Sequence, residues 1–480
     1  MFLCSTSRTS LLHAAHPEAA VEALDRAGVC DGIPFVLGAD GRYDVELNRF
    51  IRELPSWGVR SPHSVEAYAR DLMVFGRFLH LCRGGRSVWE AGPEDLRAFK
   101  RARRPGPAGE GVAASTWNRF IAALDKFVEW ALAEALLAAD PFRRVERTVW
   151  TPQGVQVVRV NAEREVDEES GPIRFLPYED YLLWRDVGLR GMTPDGRVDS
   201  QWRGRHGERN SAFADKVVGT GMRLTEASSV LLPEVPPAGR DRAGAMTVAG
   251  STAKRRRSRT VFWSRRLVRS VHAYIDVERD ALVARWSARD AYADEADALV
   301  VREARASRMV LIEGEPRARL LARLEPADRR RLRWGSGGGP VWLWLGDGGR
   351  PMEPSAWQAV FRRANERCRG FGLDFDVHPH TLRHTFAVHM LGLLLRETVR
   401  ALRMDDRVLV TSAQMKRLLI GDPLRRLQLL LGHRRLESVF QYLDVLDEAQ
   451  EIVLSALDRW DEQAQVADGL QAAGAGTVAG

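Results

Sequence analysis

The stretch His378-Pro-His380-Thr-Leu-Arg383-His384-Thr-Phe-Ala387 carries imidazoles and a guanidinium at helical spacing. His380 and Arg383 stand three apart and His384 lies four beyond His380, so on a helix all three share one face. Imidazole and guanidinium converging on one spot make a grip for an oxyanion. The planar fork of an arginine fits two phosphate oxygens at once. Taken alone, the stretch reads as a helix bearing three surface cations. Downstream come Leu430-Leu-Gly-His433 and, nine residues later, Tyr442. A phenol, with a pKa near ~10, is the least reluctant nucleophile among the neutral side-chain hydroxyls. By itself Tyr442 reads as a packing residue on an amphipathic segment.

Two further boxes lie upstream. Thr220-Gly-Met-Arg223-Leu-Thr-Glu226 sets an arginine three residues before a glutamate. Its plainest reading is an ion pair across one helix turn, worth a few tenths of a kcal/mol. Lys254, crowded by Arg255, Arg256, Arg257 and Arg259, falls between Val248-Ala-Gly and Thr260-Val-Phe-Trp263, which read as the arms of a β-hairpin. The basic run has a second reading, a plain phosphate-contact patch with no lysine chemistry.

In this order, T-G-x-R-x-x-E, a hairpin lysine, H-x-L-R-H, L-G-H and a tyrosine nine residues on, the chain resembles the tyrosine recombinase (phage integrase) family. The resemblance spans roughly residues 47–460. It implies a mainly α fold with a small antiparallel sheet: a helical core-binding bundle plus an α+β catalytic domain, closing as a C-shaped clamp on double-stranded DNA. It implies that Tyr442 attacks a backbone phosphate, leaving a 3′-phosphotyrosyl link and a free 5′-hydroxyl. Arg223 and Arg383 would clamp the charge growing on the non-bridging oxygens, with His433 as a further donor. Lys254 would protonate the departing 5′-oxygen, and His380 would deprotonate or orient Tyr442. Glu226 would hold Arg223, and His384 would be structural. A tetramer on paired DNA sites, joined through the C-terminal helix, completes the expectation.

The sequence offers no paired-carboxylate metal site, no H-E-x-x-H and no G-x-x-x-x-G-K-[ST] loop. No cofactor is expected, and cleavage should need neither metal nor ATP. The leading reading is a site-specific recombinase, the integrase of a phage, plasmid or other mobile element. Two others use the same residues: a type IB topoisomerase-like or hairpin-forming strand transferase, and a catalytically inactive DNA-binding regulator.

Bulk composition agrees without deciding. Lys and Arg number 71 against 64 Asp and Glu, a net charge of +7 over 480 residues, a mild bias towards a polyanionic partner. Cys4, Cys30, Cys82 and Cys368 are scattered, which suits a reduced compartment and argues against a zinc site. No apolar run approaches the ~20 residues of a membrane span. A soluble cytoplasmic protein, nucleoid-associated when bound to DNA, is expected.

These residues need elements to position them. Residues 1–45 form an extension of unknown role with one weakly helical segment at 17–27. A helical core-binding domain is expected over 46–145. In it, Ser61-Pro62 opens a helix striped by Val65, Tyr68, Leu72, Phe75, Leu79 and Cys82. A short basic helix presents Arg97, Lys100 and Arg101 as a DNA-facing patch. Ser115 caps a long helix with Trp117, Phe120, Ile121, Leu124, Phe127, Val128 and Ala131 inward. Residues 146–171 read as a linker, 172–463 as the catalytic domain and 464–480 as a disordered tail. Two stretches exceed the family pattern: 264–336, read as two or three helices, and 392–421. A strand is expected at 340–345. Beyond Tyr442, the stripe Val445, Leu446, Ala449, Ile452, Val453, Leu457 and Trp460 forms the C-terminal helix.

Overall fold

The computed structural model describes residues 1–446, apart from 12–15, 39, 105–110, 152–153, 166–172, 240–242, 254–255, 293–296, 306–307, 336–337, 404–421 and 444. Two compact units divide the chain after residue 171.

In the first unit, β1 (Phe2–Ser5) pairs antiparallel with β2 (Pro34–Leu37), and α1 (Pro17–Arg26) lies between them in sequence. This extension is tied to α2 (Val45–Glu53) by Asn48, which accepts from Val36 N at 2.7 Å and donates to Val36 O at 2.9 Å. Three longer helices follow: α3 (Pro62–Cys82), α4 (Pro93–Arg103) and α5 (Ala114–Ala133). Proline occupies the first turn of α3, where its missing N–H is harmless. The periodic stripes are buried as their spacing dictates. Val65, Leu72, Phe75 and Leu79 on α3 meet Trp117, Phe120, Ile121, Leu124, Phe127 and Val128 on α5 in one core. Each fully buried large side chain of this kind contributes about 1.5–3 kcal/mol. Cys82, at the end of the α3 stripe, is exposed, and α5 begins at Ala114 with Ala113 at its N-cap position rather than Ser115.

The stretch 146–171 is not a plain linker. β3 (Arg144–Thr151) and β4 (Gly154–Asn161) form an antiparallel hairpin with Arg144 opposite Asn161. The chain leaving it is fastened to the bundle: Trp117 Nε1 donates to Glu163 O at 2.8 Å, and Asn118 Oδ1 accepts from Glu165 N at 3.0 Å.

The second unit is built on α6 (Tyr178–Arg190), α7 (Gly207–Thr220) and α12 (Pro354–Gly370), with the one-turn helix α8 (Leu224–Ser228) after α7. Phe213 of α7 stacks on Trp357 of α12 with centroids 3.6 Å apart, and Trp184, Trp263, Trp342 and Trp344 are fully buried around them. β5 (Gly244–Val248) and β6 (Arg259–Trp263) form the expected hairpin. Over 264–336 the helical expectation holds only for the first part. There α9 (Arg265–Ala273) and α10 (Asp280–Ser287) flank a π-helical turn at Tyr274–Arg279. After them come β7 (Leu299–Arg305), β8 (Met309–Ile312), β9 (Arg319–Leu320), α11 (Pro326–Arg331) and β10 (Leu332–Trp334). These strands make a four-stranded sheet in the order β10-β7-β8-β9, with β10 parallel to β7 and the other pairs antiparallel. Residues 340–345 cross the core in isolated bridges, Trp342 to Leu231 and Pro340 to Arg333, rather than as a regular strand.

Helix α13 (Pro379–Arg403) runs through the first part of the expected 392–421 excess; the rest of that stretch, like the 464–480 tail, lies outside the described residues. With α14 (Asp422–Leu431) and α15 (Glu437–Phe440) it encloses a separate core of Phe386, Leu391, Leu424, Leu427, Leu431 and Tyr442. Among the described residues no helix is long and apolar enough to cross a membrane.

Candidate active site

The turn from α7 into α8 begins the site. Gly221 has φ +62°, and a Cβ there would stand 2.3 Å from the ring of Phe386, so both backbone conformation and space demand glycine. Arg223 follows in extended backbone at the N-cap position of α8. Its N–H donates to Glu226 Oε2 at 2.8 Å and its Nη1 donates to Glu226 Oε1 at 3.2 Å. The same carboxylate takes a two-armed hold from Arg259, at 2.9 Å and 2.6 Å. Burial pushes the Glu226 carboxyl up, but the hydrogen bonds and charge of Arg259, then of Arg223, outweigh it and hold the group below its usual value.

Arg259 also donates from Nε to Leu430 O at 2.8 Å. One buried guanidinium therefore ties the hairpin to Glu226 and to the turn that carries His433. The sequence reading placed Arg259 in a DNA-contacting patch; the structure corrects this, since its side chain is only 8% exposed and its donors are engaged inside the protein.

Arg383, on α13, donates to Gly221 O and, at 2.8 Å, to Leu431 O. Its Nη2 also lies 3.1 Å from His433 Nε2. A guanidinium has only donors, so His433 Nε2 accepts and the ring proton sits on Nδ1. Burial, then the charges of Arg383 and Arg223, push His433 down to about 4, so its ring is neutral near pH 7.

Tyr442 enters this cluster from the segment after α15, 1% exposed, in the same chain as the arginines. Its hydroxyl lies 3.1 Å from His384 Nδ1. Burial raises the phenol, while the nearby charges of Arg383 and then Arg223 act to lower it. His380, exposed at the start of α13, stacks on His384 with ring centroids 4.4 Å apart. The sequence reading made His384 structural; the structure sets its ring on the candidate nucleophile.

Arg223, Glu226, His380, Arg383, His384, His433 and Tyr442 are thus brought together. Lys254 and Arg255 lie outside the described residues. Arg256 and Arg257 are exposed beside them, Arg256 pairing with Glu325. In the first unit Arg101 is exposed and Arg97 pairs with Glu94, but Lys100 is turned onto Glu163 at 3.3 Å and is engaged there instead of free for phosphate. Lys216 is a residue the sequence reading passed over. Fully buried on α7, it donates at 2.9 Å to Ala227 O, on the helix that carries Glu226. In a helix that also carries Glu208, Arg209, Asn210 and Asp215, a single lysine gives no sequence signal of this.

Comparison with known proteins completes the picture. Residues 47–135 match the model of the phage integrase N-terminal SAM-like domain, and residues 200–393 match the phage integrase family. The chain belongs to the tyrosine recombinase (phage integrase) family, and it is a site-specific DNA recombinase. This recombinase is 26% identical to tyrosine recombinase XerC of Methylobacterium sp. (strain 4-46), over 69% of this chain and 76% of that protein. It is 50% identical to tyrosine recombinase XerD of Corynebacterium glutamicum over a segment covering 10% of this chain and 15% of that one. Among solved structures it is similar to the Tn1549 transposon integrase in complex with a circular intermediate DNA, at 11% identity and TM-score 0.45, covering 82% of this chain and 94% of that one. The second family match ends at residue 393, so His433 and Tyr442 are joined to it by their place in the site.

Proposed function

We propose that this recombinase cuts and rejoins DNA through a covalent link between Tyr442 and a 3′-phosphate. The observation that carries the reading is the placing of a buried phenol beside Arg383 and Arg223 within one chain. Tyr442 attacks the phosphorus, the bond to the 5′-oxygen breaks, and Lys254 supplies that oxygen with a proton. Arg223 and Arg383 hold the non-bridging oxygens as negative charge grows there. Glu226, gripped from behind by Arg259, keeps Arg223 oriented, and His433 does the same for Arg383. Because the phosphodiester energy is kept in the phosphotyrosyl bond, religation to another 5′-end needs no ATP.

The residue set supports a recombinase over a topoisomerase-like strand transferase or an inactive regulator, because the match at 47–135 adds a core-binding domain to the catalytic one. Assembly is part of the proposal. Leu446 packs in the core of its own chain, and the apolar stripe beyond it, Ala449, Ile452, Val453, Leu457 and Trp460, which lies outside the described residues, docks on a neighbouring protomer, giving a tetramer on paired sites. A cavity of about 540 Å³, lined by Phe175, Tyr178, Phe386, Leu393, Val445 and Leu446, is a receptor of suitable chemistry. The integrase of a mobile element is the setting we favour.

The test uses a duplex selected by the protein itself from a random library and nicked so that cleavage traps the adduct. Tyr442→Phe should bind this duplex with unchanged affinity and form no covalent complex. An adduct formed by Tyr442→Phe would remove the proposal. Efficient relaxation of a supercoiled plasmid lacking the selected site would favour the topoisomerase-like reading.

A further inference from the structure

Attack by Tyr442 requires its phenolic proton to leave. His384, immediately after Arg383, is in place to take it. His384 Nδ1 stands 3.1 Å from the hydroxyl, with the ring half-buried on α13 and His380 stacked over it. We propose that His384 is the proton acceptor for Tyr442, a catalytic residue in its own right; this rests on the reading of Tyr442 as nucleophile.

Proton transfer requires one tautomer of the ring: the phenol donates, Nδ1 offers its lone pair and the proton of the neutral ring sits on Nε2. The groups facing His384 are His380 and Arg383 from its own helix and Tyr442 from the segment beyond α15. Burial, then His380 and Arg383, push the ring down to about 4, which keeps Nδ1 free at neutral pH. A bound phosphate brings negative charge beside Arg383 and raises the ring's basicity when the proton has to move. The step balances: the O–H bond of Tyr442 breaks with its proton passing to Nδ1, the phenolic oxygen bonds phosphorus, and the P–O5′ bond breaks. In religation the proton returns to the phenol as the phosphotyrosyl bond opens.

Orientation and proton transfer are separable by substitution. Asn at position 384 can accept the phenol's hydrogen bond near the place of Nδ1 but cannot take its proton; Ala can do neither. Single-turnover adduct formation on the trapping duplex should fall about 10²-fold or more for both His384→Asn and His384→Ala, the range of general-base contributions. Both losses should shrink as pH rises towards 10, and again when 3,5-difluorotyrosine, a more acidic phenol, replaces Tyr442. Adduct formation by His384→Asn at the unsubstituted rate would show orientation only and overturn the proposal. So would a loss that neither alkaline pH nor the fluorinated phenol repairs in a variant that still binds DNA. If His384→Ala melts below the assay temperature, His384→Asn carries the test. Failure of the underlying reading has a different signature, an adduct formed by Tyr442→Phe.

Discussion

Arg259 is the cation whose substitution separates an internal strut from a DNA contact. Its guanidinium spans Glu226, which is 0% exposed, and the carbonyl of Leu430. Replacement by Met keeps the aliphatic stem but leaves a buried carboxylate with Arg223 as its remaining charged partner. Breaking one side of a buried pair costs about 3–5 kcal/mol, and the hold of Arg223 on Glu226 places the expected loss near the lower figure. A loss of that size is a large share of the ~5–15 kcal/mol of a typical domain. The folded pKa of Glu226 is below its unfolded value. Its contribution is therefore complete above the unfolded carboxylate's ~4.3 and fades as pH falls through the folded value. In Arg259→Met burial dominates and the carboxyl is pushed up instead, so the deficit of the variant should narrow on acidification. Urea unfolding of Arg259→Met, Glu226→Gln and the double variant, at neutral and acidic pH, measures this, with the double variant losing less than the sum of the singles. A phosphate-contacting arginine adds about one unit to the salt slope of DNA binding. Arg259→Met should leave that slope unchanged. A loss below 1 kcal/mol together with a shallower slope would refute the strut.

Two other outcomes follow from the described geometry. Lys216 is held well below its usual pKa by burial, so it takes up its proton at a cost paid only in the folded state, and stability falls as pH drops from the unfolded value of ~10.4 towards the folded one. Ala227 O keeps Trp344 Nε1 as a donor at 2.9 Å, so Lys216→Met should stabilise the chain by about 1 kcal/mol at pH 7, with the gain shrinking towards pH 10; thermal melting across pH checks it, and a destabilised variant would contradict it. Truncation after Leu446 should spare adduct formation on single-site DNA and abolish synapsis of two sites, seen by native gel; unchanged recombination would contradict assembly through the C-terminal segment.

What the sequence makes legible here is local. Gly221-Met-Arg223 and His380 to His384 act within one turn of chain, so their spacing already states the geometry. The stripes on α3 and α5 are read from period alone because one face of each is buried. Long-range pairing is what the sequence hides. The bond between Arg259 and Glu226 spans 33 positions, and in a run of neighbouring arginines nothing marks Arg259 as turning inward. The strands at 299–334 sit in an Arg- and Ala-rich stretch whose composition suggests helix, while their pairing is decided by partners elsewhere in the sheet. At 154–161 the alternation of Gly154-Val-Gln-Val-Val-Arg-Val-Asn161 did carry a strand signal. Helical spacing placed His380 and His384 on one face but could not tell which would meet the phenol, because Tyr442 arrives from another segment.

In the proposed mechanism the nucleophile and its arginines act within one chain. Tyr442→Phe and a size-tagged Arg383→Gln chain, each inactive alone, should be mixed on the trapping duplex and the covalent products resolved by mass. Assembly of the site within a single chain predicts no adduct in the mixture. An adduct on the Arg383→Gln chain would mean that the tyrosine of one protomer reaches the arginines of another, and would contradict it.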